Sequence, residues 1–74
     1  MSEMKAASTS QLRTEIRAQL GGATKKTADQ LFEDISRNFA KKHLKTTKRE
    51  MLICLGELLD EEILIMDGYE YLRK

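Results

Sequence analysis

Residues 47–74 constrain the fold more than any other stretch, because a capped amphipathic segment runs directly into an apolar strand, a tight turn and a second strand. Thr47-Lys48-Arg49-Glu50 has the spacing of a capping box, in which a hydroxyl and a carboxylate satisfy amides that a helix start leaves open. Glu50 is also favourably placed near the positive helix end. The helix it opens is expected to bury Met51, Leu52, Leu55, Leu58 and Leu59. Glu62-Ile63-Leu64-Ile65-Met66 is β-branched and apolar, and it precedes Asp67-Gly68, a pair suited to a two-residue turn in which both positions take positive φ. Such a turn pairs Met66 with Tyr69 and Leu64 with Tyr71 on one face, and leaves Ile63, Ile65 and Leu72 with Glu70 on the other. A lone hairpin is marginal in water, so one face must pack on helices and the second is open to a partner.

Two further capping patterns lie upstream. Ser8 with Gln11 opens a first helix whose Leu12, Ile16, Gln19 and Leu20 form one stripe, and Gly21-Gly22 ends it. Thr27 with Gln30 opens a second helix with Ala28, Leu31, Phe32, Ile35 and Phe39 on one face. Continuing that helix would place Lys42 in the apolar stripe, so it should stop near Lys41, with Leu44 plugging the core from the turn. Residues 1–8 are small and polar and read as a flexible tail, leaving 9–74 as a single domain.

At 74 residues the core is near the minimum that holds a chain folded without staples, which favours a dimer or a docked partner. With 41% hydrophobic and 34% charged residues and no proline, the composition fits a helix-rich domain and excludes a disordered tail. Cys54 is the one cysteine; no internal disulfide can form, and its apolar neighbours make it a structural thiol. No run of 18 apolar residues and no signal-type segment occurs, so an intracellular location (cytoplasm, nucleoid or nucleus) with no membrane contact is expected.

The net charge of +1 hides an asymmetry: residues 1–49 carry 11 Lys/Arg against 5 Asp/Glu, and residues 50–74 carry 2 against 7. The basic excess is steepest from Lys41 to Arg49. Clustered cations can be a solvated turn, or they can gain by releasing counterions from a nucleic-acid backbone.

Three helices followed by a hairpin, with Leu58-Leu59-Asp60-Glu61-Glu62-Ile63-Leu64-Ile65-Met66-Asp67-Gly68-Tyr69 at the junction, resembles the winged-helix superfamily over roughly residues 9–73. The resemblance implies an α+β, winged-helix-like fold. It also implies a DNA-facing first turn of the third helix at Thr46, Thr47, Lys48 and Arg49, and a wing at Asp67-Gly68. Glu62 stands where that family often has glycine, so a left-handed cap there would be strained or replaced by another geometry.

The leading expectation is a non-enzymatic module that binds duplex DNA through Lys41, Lys42, Lys45, Thr46, Thr47, Lys48 and Arg49, mostly by phosphate neutralisation. The alternative is a protein-interaction module or homodimer. Beyond its first turn the third helix presents Ile53, Glu57 and Asp60 outward, and carboxylates there would repel phosphate. No catalytic, cofactor or metal constellation is expected. His43 lies in a basic turn, where a solvated ring or a phosphate contact is expected over general-base work, and the acids Asp60, Glu61 and Glu62 have no ligand spaced to complete a metal site. Tyr69 and Tyr71 alternate and could stack on bases, but packing against the helices is the expectation.

Overall fold

The computed structural model describes residues 3–74 as three helices and five short strands in an α+β arrangement. The chain runs β1 (Lys5–Ala6), α1 (Thr9–Gln19), β2 (Lys26–Thr27), α2 (Ala28–Lys41), β3 (Leu44–Lys45), α3 (Lys48–Asp60), β4 (Leu64–Asp67) and β5 (Glu70–Arg73).

Each helix begins where its capping residue stands. The Ser8 and Thr27 hydroxyls accept from the amides of Gln11 and Gln30 at 3.1 and 3.2 Å, and both glutamines accept in return from the cap amides. At α3 only half of the expected box forms. Thr47 Oγ1 accepts from the Glu50 amide at 3.1 Å, while the Glu50 carboxylate takes the Thr46 hydroxyl at 3.4 Å instead of the cap amide.

The helix ends follow an equally local logic. α2 stops at Lys41, and His43 turns the chain through the left-handed region at φ 57°. At the end of α3, Glu62 adopts φ 61°. Its amide donates to the Leu59 carbonyl and that of Ile63 to Leu58, both at 3.0 Å, the bond pair of a Schellman cap with a non-glycine residue in the strained position.

The core is one cluster. α1 supplies Leu12 and Ile16 with Leu20 at its cap, α2 supplies Leu31, Ile35 and Phe39, α3 supplies Met51, Cys54, Leu55 and Leu58, and β4 supplies Leu64. Leu44 packs against it from the turn, as expected, with Ala28, Phe32, Leu59 and Tyr71 at its edge. Burial of each large apolar side chain stabilises by roughly 1.5–3 kcal/mol. One expectation is overturned here: Leu52 is 43% exposed and Cys54 is buried in its stead. Met51, Cys54, Leu55 and Leu58 follow the i, i+3, i+4, i+7 pattern, so α3 is rotated toward the cysteine relative to a Leu52/Leu55/Leu59 stripe.

The hairpin forms with a corrected register. Asp67 pairs with Glu70, Met66 with Tyr71, Ile65 with Leu72 and Leu64 with Arg73. The two central turn residues are therefore Gly68 and Tyr69, with positive φ (66°) at Gly68 only. That matches the turn class requiring glycine at its first central position, whereas an Asp67-Gly68 turn would have needed positive φ at aspartate too. A shift of two residues preserves the pleat, so the side chains that remain in the strands keep their expected faces, while Tyr69 moves from the strand into the turn.

Two pairings join distant segments. β2 adds antiparallel to β5, giving a three-stranded sheet in the order β2-β5-β4, and β1 pairs in parallel with β3. Of the expected flexible tail, residues 1 and 2 lie outside the described residues, and Lys5 and Ala6 are the strand that meets β3. Among the described residues no helix is long and apolar enough to cross a membrane.

Candidate functional site

The connection between α2 and α3 is built so that its cations face outward. Lys41 closes α2 and Lys42 caps it. Leu44 turns toward the core, and the strand alternation then points Lys45 to solvent. Thr47 caps α3, and Lys48 and Arg49 are its first two residues. Lys41, Lys42, Lys45, Thr47, Lys48 and Arg49 are all exposed and Thr46 is half-buried, so the structure brings the sequence-predicted group together on one connection. It also adds Lys5, which sequence reasoning missed. The Lys5 amide donates to the His43 carbonyl and that of Ala7 to Lys45, both at 2.8 Å, setting Lys5 alongside Leu44. Nothing in a two-residue parallel pairing could be read from the chain alone.

Most cations outside this group are ion-paired, with Arg17 and Arg73 the exceptions among the described residues. Elsewhere, Arg13 meets Glu57 and Glu61, Lys25 meets Asp67 at 2.5 Å, Lys26 meets Asp34 at 2.7 Å, Arg37 meets Glu33 at 3.5 Å and Lys74 meets Glu62 at 3.9 Å. Lys48 bonds Asp29 at the start of α2. Lys5, Lys41, Lys42, Lys45 and Arg49 make no ion pair among the described residues. Lys41 and Lys42 sit favourably at the negative end of α2, whereas Arg49 is a cation at the positive end of α3, an unfavourable place that a bound anion would relieve.

The acidic side of α3 is divided by its neighbours. Glu57 lies 3.6 Å from the Arg13 guanidinium, which also donates two hydrogen bonds to Glu61, one of them at 2.9 Å. Those hydrogen bonds hold the Glu61 carboxyl below its ordinary range and raise Arg13. Of the expected partner face Ile53, Glu57 and Asp60, the glutamate thus leans onto α1, while Ile53 (55% exposed) and Asp60 stay open. Cys54 is buried beside them, and desolvation pushes its thiol pKa up, which keeps it protonated and unreactive.

A shallow groove runs between the start of α3 and the hairpin, lined by Ala28, Lys48, Leu52, Met66, Tyr69 and Tyr71. Tyr71 packs against the core as expected. Tyr69 does not: the register places it in the turn, 89% exposed, which corrects the expectation that both rings pack on the helices. The acid of the groove, Asp29, is engaged by Lys48; Asp67 before the hairpin turn is engaged by Lys25, whose ammonium lowers the Asp67 pKa through a hydrogen bond. Among the described residues no group of three or more His, Cys, Asp or Glu side chains is placed to hold a metal ion.

Comparison of the chain with protein-family models, with curated proteins and with solved structures finds no match in any of the three.

Proposed function

We propose that this protein is a small, non-enzymatic nucleic-acid-binding module of winged-helix-like architecture that holds the phosphate backbone of duplex DNA. The observation that carries this reading is the gathering of Lys5, Lys41, Lys42, Lys45 and Arg49 around one connection. Among the described residues none of them has a carboxylate within ion-pair distance, in a chain whose other cations are largely paired. Unpaired clustered cations gain most from a polyanion, since each phosphate they neutralise releases a condensed counterion. The Thr47 hydroxyl is committed to its cap and the Thr46 hydroxyl to Glu50, so the open amides at the start of α3 are the neutral donors available to phosphate oxygens. A hairpin lying beside the start of α3 is in keeping with the winged-helix arrangement.

The acids of α3 do not cancel this patch. Only Glu50 stands in the first turn beside the cations; the helix runs for 13 residues from Lys48 to Asp60, roughly 18 Å by its rise per residue, so Asp60 at its far end lies well beyond a screening length of about 8 Å at physiological salt. Binding of this kind reads the backbone more than the bases and weakens steeply with salt. The test is duplex affinity across a salt series for the natural chain and for Lys45→Ala/Arg49→Ala, with Arg37→Ala as a control at a cation already paired. The double variant should bind more weakly and lower the slope of log affinity against log salt by about 2, since each phosphate left unneutralised removes about 0.9 from it. The control should change neither. Folded protein that fails to bind at low salt would overturn the reading.

A second reading has one observation of its own. Leu52 and Met66 are 43% and 48% exposed in the groove beside Tyr69, and an apolar surface of this kind suits a protein partner or a second copy of the chain. The same salt series, if negative, makes this surface the place to search.

A further inference from the structure

Tyr69 is the most exposed large apolar side chain among the described residues, and its position calls for an explanation. It stands at the tip of a rigidly paired hairpin, held in place by Asp67 pairing with Glu70 and by the glycine before it. Its hydroxyl makes no hydrogen bond among the described residues, so neither packing nor polar contact accounts for the ring. An aromatic side chain fixed in solvent costs the chain solubility and contributes nothing to its core.

The surroundings narrow what could cover it. Met66 and Leu52 continue the apolar surface from the ring into the groove, and Lys48 at the start of α3 forms its rim. Arg49, which makes no ion pair among the described residues, is the next residue on the helix. Of the carboxylates, Asp29 lines the groove and is held by Lys48, while Asp67 and Glu70 lie on the hairpin face opposite Met66 and Tyr71, so an anionic strand would meet a neutral ion pair in the groove and not bare negative charge. Apolar surface whose rim residue Lys48 is followed by a cation without an ion pair among the described residues, Arg49, is complementary to a nucleotide, whose base is a neutral ring and whose phosphate is an anion. Inside a duplex the base faces are stacked on one another and out of reach, so a ring can take a partner only where a base is unpaired.

We propose that the hairpin tip is a base-stacking site: Tyr69, backed by Met66 and Leu52, takes an unpaired nucleobase next to a duplex whose phosphates lie on the basic connection. This rests on the nucleic-acid reading above and names its preferred substrate class, a duplex with a single-stranded overhang or gap. The ring supplies stacking and the hydroxyl has no role, so phenylalanine serves as well as tyrosine at this position.

The experiment compares affinity for a fully paired duplex and for the same duplex extended by a short overhang. It uses the natural chain, Tyr69→Ala and Tyr69→Phe, with a fluorescent base analogue at the first unpaired position. The natural chain should favour the overhang by about tenfold, within the range for one base–aromatic stack, and quench the analogue. Tyr69→Ala should lose the preference and the quenching while binding the paired duplex as before, and Tyr69→Phe should keep both. A natural chain that binds both duplexes equally overturns the stacking site and leaves the nucleic-acid reading standing. So does a preference that survives Tyr69→Ala. Absence of binding to either duplex overturns both. Since the side chain is 89% exposed, the substitutions do not threaten folding, and unchanged circular dichroism verifies this.

Discussion

Glu62 holds φ 61° at the end of α3, where a side chain crowds the following carbonyl and where the family resemblance anticipates glycine. The cap hydrogen bonds from Glu62 and Ile63 form all the same, so the strain is borne for the sake of turning the chain into β4. Glu62→Gly should therefore stabilise the protein by about 1 kcal/mol, since relief of the left-handed strain outweighs the added freedom of the unfolded chain and the loss of a long, exposed pair with Lys74. Urea denaturation measures this directly, and a loss of stability would show that the Glu62 contacts outweigh its backbone strain. A second prediction at this scale concerns pH. The carboxyls of Glu61 and Asp67 have folded pKa values below their ordinary ones, so their stabilisation is present above the unfolded carboxylate range and is lost as pH falls through the depressed values. Arg13 and Lys25 are raised, so their share is present below their ordinary values and is lost only in strong alkali. The melting temperature of Arg13→Gln should accordingly lie below that of the natural chain at neutral pH and converge with it in acid, once pH has fallen through the depressed Glu61 value. A gap that stays constant with pH would mean that Arg13 acts through packing alone.

At the scale of elements, α3 carries its charges against its own dipole. Lys48 and Arg49 stand at the positive end with only Glu50 in opposition, and its last turn contains no cation. The remedy at the acidic end comes from α1, whose Arg13 reaches Glu57 and Glu61. At the basic end Lys48 is answered by Asp29 of α2 and Arg49 by nothing among the described residues. Arg49→Glu should thus raise thermal stability by about 0.5 kcal/mol while lowering affinity for duplex DNA, a gain in fold matched by a loss in binding. If stability and affinity fall together, the charge is structural and the proposed role of the basic connection weakens. The elements themselves were largely legible. Ser8, Thr27 and Thr47 start helices where local hydrogen bonding dictates, and Phe39 and Lys42 mark where the apolar stripe of α2 must end. What could not be read was the phase of α3, because stripes through Leu52 and through Cys54 both satisfy helical spacing and only the neighbouring surfaces choose between them. The hairpin register was ambiguous for a similar reason, since both alignments put the strand side chains they share on the same faces.

Across the whole molecule, charge segregation and element order belong to the linear chain, and contacts between remote residues do not. The excess of cations before residue 50 and of acids after it stands in the sequence, as do the three helices, the hairpin and the basic group from Lys41 to Arg49, because each depends on neighbours within a few positions. Only the tertiary structure decided that Lys5 joins that group, that β2 completes the sheet, that Arg13 quiets the acids of α3, and that Tyr69 stands free at the hairpin tip. The first three rest on pairings between segments separated by tens of residues, where one shared core offsets the cost of closing the loops, and the last on a hairpin register that packing against that core selects. A local pattern carries no record of such closure, so which cations are left unneutralised, and which ring is left uncovered, is settled only when the chain has folded.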